Sequence, residues 1–343
     1  MRVRQIDESV LAAWVDALIA KHRVIGIQAK GARFAFGPLT KAAELRLDYD
    51  VSMLPPKKFL QPPTETLMRF TRKDRAYEPM VEDAPFVLFG VHPYDVVAIQ
   101  QMDAVFSADN PDLHYQTRRQ NATIVACDIQ TASPNVFASC MGTAVVQDGF
   151  DILLTKAGGH YVVDSRTEKG EVLMADLVGA SDASEVLLAR REQLWEEARK
   201  LYAKHTLKCR PEDLPALLAN GAYEHPIWEE RAALCFSCGS CTLVCPTCYC
   251  FDVADRMSWD MDQGERQRIW DSCQLREFAE VAGGHNFRRQ REERFRHRYY
   301  RKGKYLFDRM GVIACVGCGR CITACPAKIA NPVEIYNTLV EDR

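Results

Sequence analysis

The sequence predicts an α/β domain over residues 1–208 followed by a mainly helical, cysteine-rich domain over residues 209–343. Three observations carry this. Two continuous apolar runs, FVLFGV from Phe86 and TIVACDI from Thr123, flank a segment with helical spacing, the strand, helix, strand order of a parallel βαβ unit. The fourteen cysteines crowd after Cys209, apart from Cys127 and Cys140. The spacing C-x2-C-x2-C-x3-C-P occurs twice, as CFSCGSCTLVCP from Cys235 and CVGCGRCITACP from Cys315.

Taken in order, Asp7 to His22 places Leu11, Trp14, Val15, Leu18 and Ile19 at helical spacing, with Asp7 or Ser9 available as the cap. Short strands are expected at Val24 to Ile27 and Phe34 to Phe36. Pro55, Pro56, Pro62 and Pro63 then impose an extended loop, in which Lys57 and Lys58 read as solvated charges or, alternatively, as partners for a cofactor phosphate. After the βαβ unit come strands at Asp151 to Thr155 and Tyr161 to Asp164, joined by a turn at Gly158 and Gly159. A long helix follows from Ser184 to Lys204, with Leu187, Leu188, Leu194, Ala198 and Leu201 expected on its inner face. Pro211 to Trp228 reads as a linker of short helical pieces.

The doubled cysteine run is the bacterial-ferredoxin spacing for cubane iron–sulfur clusters, in which the fourth cysteine of each run ligates the other cluster. It predicts a ferredoxin-like domain with two [4Fe-4S] clusters, held by Cys235, Cys238, Cys241 and Cys325, and by Cys315, Cys318, Cys321 and Cys245. Gly239, Ser240 and Gly319 let the backbone close round a bulky cofactor, and Pro246 and Pro326 fix the chain direction after the fourth ligand. Structural zinc sites also pair C-x2-C units, but they need four thiolates and no third cysteine in step.

The stretch between the runs is longer than a compact ferredoxin hairpin requires and should carry its own elements. Arg288, Arg289, Arg291, Arg294, Arg296, Arg298, Arg301, Lys302 and Lys304 interleave there with Phe287, Phe295, Tyr299, Tyr300 and Tyr305. Such a pattern suits single-stranded nucleic acid, or a helix docked between negatively charged clusters or on an acidic partner with its aromatics buried. Cys248, Cys250 and Cys273 lie outside both runs. With His285, Asp252 or Asp271 as a fourth ligand they are candidates for a third iron–sulfur or other metal site; the alternative is buried, unligated thiols. Cys127, Cys140 and Cys209 read as core residues.

With 343 residues, 47% of them hydrophobic, the chain is long enough for two domains. A net charge of −2 implies no global pull toward nucleic acid or an anionic membrane. No apolar run approaches the roughly 18–20 residues that span a bilayer. Abundant cysteine without a secretory signal points to metal chemistry in a reducing compartment, the cytoplasm. There is no G-x-G-x-x-G after a strand and no Walker loop, so the sequence offers no dinucleotide site of its own. Nor does it offer an acid–base pair or nucleophile, and the chain reads as a non-catalytic subunit.

Several motifs together, PPKKFLQPPTETLMRF at Pro55, FGVHPYD at Phe89, CTLVCPTCYCFDVAD at Cys241, FAEVAGGHNFR at Phe278 and CVGCGRCITACP at Cys315, run nearly end to end. By them the chain resembles the iron–sulfur β subunits of the cytosolic NAD(P)-linked nickel–iron hydrogenases, or sulfhydrogenases, and more distantly the A subunit of anaerobic sulfite reductase. The resemblance implies an electron-transfer subunit of a hetero-oligomer. Its partners would be a flavoprotein that handles NAD(P) and carries the flavin, and a catalytic metal-containing module of hydrogenase or sulfur/sulfite reductase type. This sequence departs from the family at three places. Tyr94 stands in HPYD where relatives tend to carry cysteine in R-P-C-D, and the D-C and C-F-C positions appear as Asp128-Ile129 and Val136-Phe137-Ala138.

Two functions from different classes follow. One is an electron relay between a flavin in one partner and a catalytic module in another. The other is an iron–sulfur protein whose clusters only hold the fold and whose basic stretch binds nucleic acid or a partner.

Overall fold

The computed structural model describes residues 3–343. Strand β1 (Val3–Asp7) leads into helix α1 (Glu8–Lys21), which buries Leu11, Trp14, Val15 and Leu18 at the expected spacing. Asp7 stands at the N-cap but makes no capping bond, because its carboxylate reaches His160 Nε2 at 3.0 Å instead. Next come β2 (Val24–Lys30) and β3 (Arg33–Pro38), an antiparallel pair. The proline-rich segment holds a 3₁₀ turn at Pro56–Phe59, after which β4 (Thr64–Thr71) and β5 (Ala76–Pro79) leave for a second sheet.

The expected βαβ unit is formed by β6 (Phe86–Val91), α2 (Pro93–Ser107) and β7 (Ala122–Cys127), with a further helix, α3 (Leu113–Asn121), before β7. Every residue of β6 is buried, which is why its apolar run does not alternate. A hairpin, β8 (Ile152–Ala157) and β9 (His160–Ser165), turns at Gly158 with φ +67°. It is followed by α4 (Glu168–Met174), β10 (Ser181–Asp182) and α5 (Glu185–Leu201), which Ser184 caps by accepting from the Leu187 N–H. The inner face of α5 differs from the expected one. Arg191, Trp195 and Ala198 are buried and Leu201 is exposed, because the helix is turned to let Trp195 Nε1 donate to Asp128 at 2.8 Å and Arg191 to Asp164 at 3.2 Å.

The main sheet has the order β10-β1-β9-β8-β7-β6-β2-β3. Its centre is parallel, with β2, β6, β7 and β8 aligned, and its flanks are antiparallel. The segment from Pro211 to Trp228, expected as a linker of short helical pieces, does hold short helices, but they pack as core. Here α6 (Leu214–Ala219) and α7 (Ile227–Ala233) bury Leu214, Leu217, Leu218, Ile227 and Trp228 in a second apolar cluster with Phe295, Tyr299 and Tyr336.

The first cysteine run contains the short helix α8 (Ser240–Leu243). After it, β11 (Phe251–Met257) and β12 (Gln263–Trp270) form an antiparallel hairpin. The hairpin joins the strands left over from the N-terminal half, giving a four-stranded sheet β11-β12-β4-β5. Residues 64–79 therefore share a sheet with residues 251–270, across the boundary expected at 208/209. Arg268, 1% exposed, ties the two together by donating to Glu65 at 2.7 Å. The basic stretch forms α9 (Arg291–Tyr300), continues through a π-helical turn at Arg301–Tyr305 and ends in α10 (Leu306–Met310). The second cysteine run carries α11 (Arg320–Ala324), and α12 (Pro332–Glu341) closes the chain. No helix among the described residues is long and apolar enough to cross a membrane.

Candidate metal centre

The two cysteine runs fold alike, and their residues show why. Gly239 and Gly319 both take left-handed conformations, φ +74° and +76°, and start α8 and α11. Two residues earlier Gly317 is also left-handed, at φ +66°, and in the first run Ser237 adopts the same sign at φ +52°. Each loop thus winds tightly before its helix, and the two helices pack together.

This packing gathers the cysteines across the runs. One small cavity is lined by Cys235, Cys238, Cys241 and Cys325, with Phe236 and Phe295. A second is lined by Cys245, Cys315, Cys318 and Cys321, with Arg298 and Lys302. Each therefore has three cysteines from one run and the fourth from the other. The cavities differ in access. Cys238 is exposed and Phe236 beside it is 71% exposed, whereas Cys318, its counterpart, is 7% exposed.

The second cavity is roofed by the α/β domain. The Phe137 N–H donates to Gly317 O at 2.8 Å and Thr143 Oγ1 to Val316 O at 2.6 Å. A methyl group at Gly319 would run into the Asn135 carbonyl. Arg320, between Cys318 and Cys321, makes a two-bond ion pair with Asp95 at 2.7 and 2.6 Å and donates to Ser52 O at 2.9 Å. That gives the HPYD motif a physical role. Tyr94 lies against Arg320, and His92 stacks on Tyr49 with ring centroids 3.8 Å apart while sharing a hydrogen bond with the Tyr94 hydroxyl at 2.7 Å. Burial and the Arg320 charge hold His92 well below its ordinary value, so it stays neutral.

Electrostatics supply the rest of the fit. Arg294, Arg298 and Lys302 recur every four residues along α9 and the π turn, and are 6%, 3% and 8% exposed. Arg294 donates to Ser237 Oγ at 3.2 Å in the first run, and Lys302 to Thr247 Oγ1 at 2.6 Å just past Cys245. Arg298 lies between, with Nε and Nη1 buried and unpartnered. The acidic groups that bear most on it are the thiols of Cys241, Cys321 and Cys245 and the Tyr299 phenol. Burial pushes the Cys241 and Cys315 thiols up to about 12. Burial also raises Cys245, but Lys302, the Thr247 hydroxyl and Arg298 outweigh it and leave that thiol below its ordinary value. A thiophilic cationic centre that takes up four thiolates releases their protons and gives the buried guanidinium and ammonium their counter-charge. The donor set, the cavities and the orphaned Arg298 nitrogens all suit an anionic iron–sulfur cluster.

A family model described as a 4Fe-4S dicluster domain matches residues 234–329. Sulfhydrogenase 2 subunit beta of Pyrococcus furiosus is 35% identical over 335 residues, 96% of this chain and 96% of that protein. The chain belongs to the sulfhydrogenase β-subunit family. It is an iron–sulfur protein, as the cysteine spacing implies. The positions where this family resemblance expects cysteine, Tyr94, Ile129, Val136 and Ala138, meet in one buried apolar cluster with Ala98, Ala144, Val316 and Cys318. Side chains pack that space.

The remaining candidate ligands are divided. Cys248, Cys250 and Cys273 come together, 6%, 6% and 2% exposed, beside Cys245 and Phe278. His285 does not join them; it is exposed with its ring edge-on to Phe287 at 4.8 Å. Asp252 is exposed, and Asp271 is half-buried. Lys57, expected as a solvated charge, is 3% exposed and donates to the Cys248 carbonyl, while Lys58 donates to Phe36 O at 2.8 Å. The 3₁₀ turn at Pro56–Phe59 aims Lys57 inward, where the Trp270 ring lies 4.4 Å from its ammonium. The four-residue spacing of Arg294, Arg298 and Lys302 marks the helix face that lies against the cysteine runs, whereas no local pattern signals the burial of Lys57.

Proposed function

We propose that the chain carries electrons through two [4Fe-4S] clusters in a mainly helical ferredoxin-like domain, between a flavoprotein partner that handles NAD(P) and a catalytic metal-containing subunit. The single observation behind this is the pair of cavities, each lined by three cysteines of one run and one of the other. Cys235, Cys238, Cys241 and Cys325 would hold one cluster, and Cys315, Cys318, Cys321 and Cys245 the other. When bound, the clusters supply acceptance and donation of one electron at a time.

The chain's own residues set the conditions. Arg298, between the two sets of thiols, and Lys302, beside Cys245, favour added negative charge at the centres and so raise their potentials. The packed Phe137, Val316 and Arg320 keep water from the second cavity. The exposed Cys238 and Phe236 leave the first open to a partner, and that is the proposed contact for electron entry or exit. The reading as a nucleic-acid binder is disfavoured by burial. Of the nine cations from Arg288 to Lys304 only Arg289 and Arg291 are exposed, and a strand-binding patch needs solvated charge.

Iron loss measured by difference tests the proposal. A chain purified without oxygen should hold at least about eight irons, and replacing Cys235, Cys238 and Cys241 together, or Cys315, Cys318 and Cys321 together, by alanine should remove about four in each case. Fewer than about five irons in the unaltered chain, or zinc in their place, contradicts it.

A further inference from the structure

We infer that Cys248, Cys250 and Cys273 hold a third metal centre, an iron–sulfur cluster with three thiolate ligands. Nothing in the two ferredoxin-type runs requires it, and it stands or falls separately from the two-cluster reading. The hairpin of β11 and β12 builds the site. Its base pairs Phe251 with Trp270, and the Asp271 N–H donates to Cys250 O at 3.1 Å. The C-x-C pair that precedes one strand is thereby held against the cysteine that follows the other, and the Cys250 thiol sits against those of Cys248 and Cys273.

Charge is the second, independent observation. Lys57 is buried, and its ammonium has the Cys248 carbonyl and the face of Trp270 as partners. Arg301 lies 3.9 Å over the Tyr249 ring, with Nη2 buried and unpartnered. Burial holds Lys57 below its ordinary value against the thiols of Cys248, Cys245 and Cys250, whereas on Arg301 burial is outweighed by Cys250, Tyr249, Cys248 and Cys273. A cation buried without an anion costs several kcal/mol. Neutral thiols do not relieve that cost and a disulfide carries no charge. Thiolates do, and metal ligation is what keeps buried cysteines ionised.

Among the described residues no three His, Cys, Asp or Glu side chains are already arranged round a single ion, here or at the eight ferredoxin-type cysteines, and metal content distinguishes an iron–sulfur cluster from zinc. Asp271, at the hairpin base, is the candidate for the fourth position. His285, exposed on its own loop, is not.

The test uses the full chain purified without oxygen. Expected are about eleven or twelve irons, falling to about eight in Cys250→Ala and in Cys273→Ala, with the spectra of the two ferredoxin-type clusters retained. Arg301→Gln, which keeps every ligand, should retain the iron and lower the reduction potential of the third centre alone, since the guanidinium stabilises an added electron. About eight irons in the unaltered chain overturns the inference and leaves the two-cluster reading intact, even if the variants fail to fold. Zinc released by Cys273→Ala, or a disulfide among the three cysteines, also overturns it. An unaltered chain without iron overturns both readings.

Discussion

Cys325→Ser is expected to cost the chain the cluster held by Cys235, Cys238 and Cys241, although Cys325 belongs to the other run. Cys325 is 8% exposed and lines the first cavity, together with the Pro326 that follows it. The chain turns away there because proline ends the run, which carries the fourth sulfur of the second run across to the first. About four irons should be lost, and paramagnetic resonance of the chemically reduced protein should show the cluster at Cys315, Cys318, Cys321 and Cys245 surviving. Cys325→Ala, which leaves no oxygen to replace the sulfur, should behave at least as severely. Loss confined to the Cys315 cluster refutes the crossed arrangement.

Asp95→Ala should produce the largest loss of stability. Asp95 is fully buried and Arg320 is 2% exposed, and each of the two carboxylate oxygens takes one bond from the guanidinium. Removing the carboxylate leaves a cation in the interior with only Ser52 as polar partner, at a cost of about 3–5 kcal/mol. Arg320 sits between two ligands of the second cluster, so that cluster should be released at lower denaturant than the first. Urea unfolding followed through cluster absorbance checks both effects. The double variant Asp95→Ala with Arg320→Met should recover much of the loss, because it buries no unpaired charge. A loss below about 1 kcal/mol in the single variant contradicts this role for the pair.

The 4Fe-4S dicluster domain over residues 234–329 was legible because its coordination chemistry is written in local cysteine spacing. Strands β6 and β7 were legible for a similar reason, since a strand covered on both faces reads as a continuous apolar run. What depends on distant parts of the chain was not. The pairing of β4 with β12 joins residues far apart in sequence, and no local pattern announces it. Without that hairpin the closeness of Cys273 to Cys248 and Cys250 could not be read, nor the burial of Lys57. In α5 the leucines suggested one inner face, but Trp195 and Arg191 took it because their polar tips found Asp128 and Asp164. Asp7 was a good cap by residue type and was drawn away by His160. In each case a long-range polar partner outweighed a local preference.

Hydride transfer from NADPH delivers two electrons together, whereas a cubane accepts one, so a flavin has to stand between them. The sequence contains no glycine-rich dinucleotide loop after a strand, and in the electron relay we propose the flavin would lie on another polypeptide. The most direct measurement is the visible bleaching of the purified, cluster-loaded chain under anaerobic titration, first with NADPH or NADH and then with dithionite. Full bleaching by dithionite and none by either nicotinamide is the expected result. Bleaching by NADPH with no second polypeptide present contradicts it.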